Sequence, residues 1–330
     1  MPTSLAAARR HYQPLLGLLA DIDDERIMHL PPLATGFTPL DPLLDGGFRA
    51  HELTLVAGKP AVGKTVITLQ WARNVVKAGG HCAFISFEHS QESLIGRLLN
   101  MELSETDVPV DETTRESLRR RIRDWISGTC TSAELLATHP ALATAHEALT
   151  QYATRLFLVR ASLTSTDLGE LSTIARHVVG YGGLMIVDYL QKVPLDTNPI
   201  YRAQEVAAGL KEIAMADHVS VVAIAAVSEV GLEQRRIRLH HLDRSAPLIH
   251  ECDLAMLLND KAAAISQVHV AYDTRRLEDA RDTTLLSVEK NREGPASIHL
   301  EFRKEFEGFR FDPRGSFVTD HLVGDPLYDS

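Results

Sequence analysis

Residues 53–72 read LTLVAGKPAVGKTVITLQWA, and the fold class turns on them. Leu53 to Ala57 is a short apolar run of the kind a buried parallel strand needs. Gly58-Lys59-Pro60-Ala61-Val62-Gly63-Lys64-Thr65 follows and matches G-x-x-x-x-G-K-[ST] at every fixed position. A helical stretch then runs from Ile67 to Ala78. Strand, glycine-bounded loop and helix in this order form the setting of a P-loop. Gly58 and Gly63 let the backbone turn its N–H groups toward phosphate oxygens. The helix beginning near Lys64 adds the partial positive charge of its N-terminus. Lys64 is positioned to reach the β- and γ-phosphates, and the Thr65 hydroxyl to sit on Mg²⁺. All eight loop residues are therefore expected to hold nucleotide.

Downstream of this stretch, short β-like runs alternate with helical ones, the pattern of an α/β fold with a mainly parallel central sheet and helices on both faces. The expected strands after the first are Cys82–Ser86, Leu156–Val159, Leu184–Asp188, Val219–Ala225, Asp253–Leu258, Thr284–Glu289 and Ser297–Phe302. A mainly helical insertion is expected around 92–155. Its segment Ser117 to Gly128 carries Arg119, Arg120, Arg121 and Arg123, which read as a solvated helix face or as a contact to nucleic acid or a neighbouring subunit. Upstream, Thr35 to Gly47 is a turn-rich lead-in. Residues 1–34 read as a short leader, helical over Ser4 to Ala20 and stopped by Pro31-Pro32. Residues 313–330 read as an acidic, irregular tail.

A P-loop holds phosphate without hydrolysing it. Hydrolysis also needs an acid on the magnesium side, a group that orients water, and positive charge at the transition state. Asp188 ends the apolar run Leu184-Met185-Ile186-Val187, at the carboxyl end of a strand where such sheets bind ligands. It is the candidate Mg²⁺ acid, and Glu88, ending the run from Cys82, is the candidate that polarises the attacking water. Lys290 and Arg292, two apart on an extended segment, point the same way. They read as a solvated edge or as a finger offered to a neighbouring subunit's γ-phosphate.

The bulk properties narrow the field. The chain of 330 residues is 45% hydrophobic and 24% charged, which suits a globular protein with a sizeable core. With a net charge of −10, nucleic acid is not held by a general basic coat but only at a local patch or inside a channel. Cys82, Cys130 and Cys252 stand far apart, as reduced thiols do in a cytoplasmic protein. His240-His241 lacks metal-ligand spacing. Arg9-Arg10 precedes too short an apolar run for a secretory signal, and no stretch reaches the length of a membrane span.

The segments TGFTPLD, GGF, the P-loop, the strand ending in Glu88, MIVDYLQ and EKNREGP together resemble the C-terminal, RecA-like ATPase domain of DnaB-type replicative helicases. The likeness covers about residues 34–312. It implies a RecA-like P-loop NTPase in which Lys64 and Thr65 bind ATP phosphate and Mg²⁺, Glu88 polarises water and Asp188 is the Walker B acid. It also makes Lys290 and Arg292 the basic pair acting in trans, with Arg292 as arginine finger, and implies a hexameric ring. The family's N-terminal helical domain has no expected counterpart; the 1–34 leader stands in its place, either packed on its own subunit, packed on a neighbour as the family's linker helix is, or mobile. Where the family carries a polar Ser-Gln pair after the strand Val219–Ala225, this sequence has Ala225 and Ala226, neither able to make a side-chain hydrogen bond. The loop that grips DNA is expected at His241 to Pro247, with Arg244, Arg235, Arg236 and Arg238, and Arg202 in the loop after Asp188, as weaker DNA contacts.

Three readings follow: a ring motor moving on single-stranded DNA, acting in replication or repair; a RecA-like ATPase switch or remodeller of the KaiC or RadA kind working on a protein partner; and a non-enzymatic scaffold that keeps nucleotide only to hold a ring together. The complete hydrolytic set of Glu88, Asp188 and Arg292 argues against the last.

Overall fold

A computed structural model of the chain describes residues 14–17, 19, 30–198, 201–242, 245–265 and 274–323. The chain divides into two units, Met1–Pro31 and Pro32–Ser330. In the first, residues 15–17 and 19 are helical, with the Gly17 N–H donating to the Pro14 carbonyl at 2.8 Å. Most of the helix expected over Ser4 to Ala20 lies outside the described residues.

In the second unit, β1 (Leu53–Gly58), β2 (Cys82–Ser86), β3 (Leu156–Arg160), β4 (Leu184–Asp188), β5 (Ser220–Ala225) and β6 (Leu254–Asp260) pair in parallel in the order β3-β2-β4-β5-β1-β6. The sheet then turns antiparallel through β7 (Thr283–Asn291), β8 (Ile298–Glu305) and β10 (Ser316–Phe317), while β9 (Arg310–Phe311) pairs with β8. The central strands are buried along their whole length because both faces are covered. Val56, Phe84, Ile186 and Val222 pack on one face with Ile67 and Trp71 of α1 (Lys64–Lys77). Leu55, Ile85, Val187 and Val221 pack on the other with Leu171 of α6 (Leu168–Ile174) and Leu210 of α7 (Arg202–Ala216). Between β2 and β3 stand α2 (Gln91–Glu105), α3 (Glu112–Ile126), α4 (Ser132–Thr138) and α5 (Pro140–Tyr152), around a small core of their own that includes Leu99, Leu103, Leu118, Ile122 and Leu142.

The lead-in is a clamp on α1. Asp41 accepts from the Thr35 N–H, the Thr35 hydroxyl and the Gly36 N–H at 2.6–2.9 Å, and Asn74 of α1 donates to the Thr35 carbonyl at 2.8 Å. Phe37 then meets Trp71 and Phe302 edge to face, with centroids 6.2 and 5.2 Å apart. A Cβ on Gly47 would stand 2.0 Å from the Leu33 carbonyl oxygen, so only glycine fits there.

Buried charge fixes α1 to the insertion. Arg73 bonds Glu102 at 2.5 and 2.9 Å, with each side chain 2% exposed, and also pairs with Glu105. The Tyr152 hydroxyl donates to Glu102 at 2.9 Å. Removing one member strands the others without solvent, which makes such a pair costly to break.

One expectation changes. The stretch 313–330, read as an irregular tail, contains β10, and Leu322 bridges Ile265; the antiparallel strands leave an edge that this segment covers. On α3, Arg119 pairs with Glu112 and Glu307, Arg120 with Glu116, and Arg121 with Asp124, which favours the solvated helix face of the two readings.

Candidate nucleotide site

The P-loop lies at the carboxyl end of β1, flanked by β5 and β6, and its conformation demands the residues it has. Gly63 has φ +100° and caps α1, and a Cβ there would strike Phe311 and Phe306 at 2.6 and 2.7 Å. A Cβ on Gly58 would lie 2.5 Å from the Leu258 carbonyl oxygen. No side chain caps α1, so its first-turn N–H groups are left for an anion. Lys64 folds back on the loop, donating to the Gly58 and Lys59 carbonyls at 2.9 Å each. Burial draws its pKa below the ordinary lysine value, against the opposing pull of Asp188 and Glu88.

Strand order brings the acids to this loop. Thr65 donates its hydroxyl to Asp188 Oδ2 at 3.1 Å across 123 residues of sequence. Asp188 is 1% exposed, and burial, reinforced by the charge of Glu88, pushes its pKa up to about 6 despite the Thr65 hydrogen bond. A carboxylate held in this way is short of compensating charge even with Lys64 and Arg97 in its field. A divalent cation beside the Asp188 and Thr65 oxygens would supply it, so this donor pair fits Mg²⁺. Among the described residues no group of three or more His, Cys, Asp or Glu is arranged to hold a metal.

Gly58, Pro60, Ala61, Gly63, Lys64, Thr65, Glu88 and Asp188 line one cavity of about 560 Å³. Two loop residues do not. Lys59 contributes its carbonyl to Lys64, and Val62, 7% exposed, packs into the core. The cavity also has walls not anticipated from sequence: His89, Arg97, Phe306 and Phe309. Arg97 lies 5.5 Å over the Phe309 ring and 3.4 Å from His89 Nδ1. Its only sequence signal was its place seven residues after the α2 cap Ser90, two turns along the helix on the same face. Ala225 and Ala226 line the cavity too, and Gln191 Oε1 accepts from the Ala226 N–H at 3.1 Å.

Lys290 and Arg292 are elsewhere. Asn291 is level with Leu254, and Leu254 with Thr54, so Arg292 stands at the start of β1. From Leu53 to Gly58 is five residues, about 16 Å of strand at ~3.3 Å each. That is beyond an arginine's reach to its own P-loop. Lys290 donates to the Ile249 and Cys252 carbonyls, both at 2.5 Å, and Arg292, 49% exposed, to Asp253 at 2.7 Å.

The expected DNA contacts fare unevenly. Arg236 is 3% exposed, donating to the Val323 carbonyl and sharing a 3.0 Å contact with His299. It ties the C-terminal segment to the fold instead of facing solvent. Arg238 pairs with Glu289 at 2.5 Å. Arg235 is exposed and bonds the Ile265 carbonyl, Arg202 opens α7, and Arg244 lies outside the described residues.

Comparison with known proteins bears on the family and the fold. The chain is 28% identical over 290 residues to a probable replicative DNA helicase of Trieres chinensis, covering 85% of this chain and 57% of that protein. It is 27% identical over 302 residues to the replicative DNA helicase DnaC of Bacillus subtilis (strain 168), covering 86% and 58%. The chain thus spans less than two thirds of these relatives. A separately solved ATPase domain superposes with a TM-score of 0.67 at 18% identity, covering 94% of this chain and 99% of that one. A DnaB-like replicative helicase solved for its interactions with primase gives 0.66 at 17% identity, covering 90% and 65%. Both share the fold. The DnaB-like helicase C-terminal domain model matches residues 32–311, and the chain belongs to that family.

Proposed function

We propose that this chain is an ATP-hydrolysing subunit of a homo-oligomeric, hexameric ring that moves on single-stranded DNA as a helicase or translocase. One observation carries the reading. The phosphate loop, the magnesium-side acid and the water-polarising acid share one cavity, while the basic pair that would complete hydrolysis stands at the far end of the sheet. A complete site then needs a second copy.

Within the cavity, Lys64 exchanges the Gly58 and Lys59 carbonyls for the β- and γ-phosphates when ATP binds. Thr65 and Asp188 are the residues that would hold Mg²⁺, which would offset phosphate charge. Glu88 accepts hydrogen bonds from the attacking water and orients it in line. Phe306 and Phe309 form an aromatic wall suited to a nucleobase, and Arg97 adds positive charge beside it. Arg292 and Lys290 of a neighbouring copy stabilise the charge that develops on the γ-phosphate. No described helix is long and apolar enough to cross a membrane, and Cys82, Cys130 and Cys252 are free thiols, in keeping with work in the cytoplasm.

The alternative, a switch or remodeller uncoupled from DNA, is favoured by the same cavity. Ala225 and Ala226 present only methyl groups, and Arg236 and Arg238 are engaged within the fold. ATP turnover of purified protein with and without single-stranded DNA, at low and moderate salt, separates the two. Salt-sensitive stimulation of several-fold that is lost in Arg292→Ala supports the motor. Turnover that requires Arg292 but ignores DNA rejects it in favour of the switch.

A further inference from the structure

The chain bearing Arg292 returns to the start of β1, and what meets it there is one buried carboxylate. Asp253, 4% exposed, immediately precedes β6. Its Oδ1 accepts from Arg292 Nη1 at 2.7 Å. Its Oδ2 accepts from Lys211 Nζ at 2.7 Å and from the Leu53 N–H at 2.9 Å. Lys211 is itself anchored, donating also to the His51 carbonyl at 2.7 Å.

This arrangement exceeds what burial of a carboxylate needs. Lys211 and the Leu53 N–H already give Asp253 a cation and a backbone donor, so its charge is satisfied without Arg292. Arg292, half exposed, gains the more. Nη1 is fixed at short range and Nη2 touches the His250 carbonyl only at 3.4 Å. The rest of the five-donor fork stays open to a planar or tetrahedral anion approaching from outside. Lys290, pinned by the Ile249 and Cys252 carbonyls, holds the strand beneath it.

We propose that Asp253 is the positioning residue of Arg292: one oxygen aims the guanidinium outward, and the other fastens that aim to the first residue of the strand that ends in this subunit's own P-loop. The inference rests on the reading of Arg292 as a residue acting on a neighbouring copy. Asp253 never touches nucleotide. It makes the finger's direction depend on the seat of β1, so the subunit's own phosphate site and its action on a neighbour meet at one side chain.

The test is ATP turnover by Asp253→Asn, alone and assembled together with Lys64→Ala, with Arg292→Ala as reference in the same mixtures. Asp253→Asn is expected to lose about 10- to 100-fold in kcat, the scale of a misplaced catalytic group, with KM for ATP changed less than about twofold. Mixed with Lys64→Ala, whose P-loop is disabled but whose Arg292 and Asp253 are intact, it should regain activity above the sum of the separate proteins. A loss of kcat that Lys64→Ala does not restore, while Arg292→Ala is restored, overturns the inference and makes Asp253 a residue of its own subunit's fold. Wild-type turnover in Asp253→Asn overturns it as well. Failure of Arg292→Ala itself to recover removes the trans reading, and the inference with it. Thermal melting and nucleotide binding establish that the variant is folded; Asp253→Ser, which keeps an acceptor for the Leu53 N–H, replaces it in the same mixtures if it is not.

Discussion

Replacing Asp188 by Asn should stabilise the metal-free protein while abolishing its activity. The carboxyl is 1% exposed and has a pKa of about 6 against an ordinary value of 3.8, with burial as the main cause. Between those values the folded chain binds a proton that the unfolded chain has released. Folding stability therefore falls as pH rises from about 4 to 6, and the full cost is present above that. The interval is about two pH units; at 1.36 kcal/mol each this amounts to about 3 kcal/mol. An amide has the same shape and no charge, keeps an acceptor for the Thr65 hydroxyl, and escapes this cost. In urea or guanidinium titrations in EDTA, Asp188→Asn should exceed wild type by about 2–3 kcal/mol at pH 7.5, and by less than about 1 at pH 4. Mg²⁺ with nucleotide should narrow the gap at neutral pH, because wild type gains more from the ion than the variant does. A variant no more stable than wild type at pH 7.5, or one whose advantage is the same at both pH values, would refute the reasoning.

Glu88→Gln should bind ATP with near-wild-type affinity and turn it over at least ~100-fold more slowly, read by fluorescent-nucleotide binding beside phosphate release. Phe309→Ala removes the ring beneath Arg97 and should raise KM for ATP about 2- to 10-fold with little change in kcat, as loss of one aromatic contact worth about 0.5–1.5 kcal/mol implies. Glu102→Ala leaves Arg73 and the Tyr152 hydroxyl short of a buried partner and should cost about 3 kcal/mol in urea unfolding, whereas Lys77→Ala, on an exposed side chain, should cost under about 1. Arg236→Ala should lower the melting temperature and leave the salt dependence of DNA binding unchanged, since its guanidinium faces Val323 and His299.

Much of the site was legible because its parts are local. A glycine at φ +100°, a lysine at the first helical position and a threonine beside it are consecutive, so their geometry is set within one turn of chain. Asp188 and Glu88 were legible for a related reason: each follows an apolar run, and carboxyl ends of parallel strands gather on one edge of a sheet. Arg97, Phe306 and Phe309 left no comparable trace. A lone arginine on an amphipathic helix and two phenylalanines after a strand look like surface and core until the sheet closes around them. The same limit misassigned Arg236, whose basic neighbourhood in sequence pointed to nucleic acid while its contacts are with a segment 87 residues away.

The sequence by itself determined the phosphate loop, the alternation of strands and helices, and the family resemblance, because each depends on residues close together in the chain and on backbone freedom that only particular residue types allow. Tertiary structure alone decided which strands are neighbours. That order sets Thr65 against Asp188, closes an aromatic wall over the P-loop, and turns Arg292 to the opposite end of the sheet with Asp253 beneath it. Such contacts join residues about 40 to 240 positions apart, and their geometry follows from packing two faces of one sheet, which no local pattern encodes.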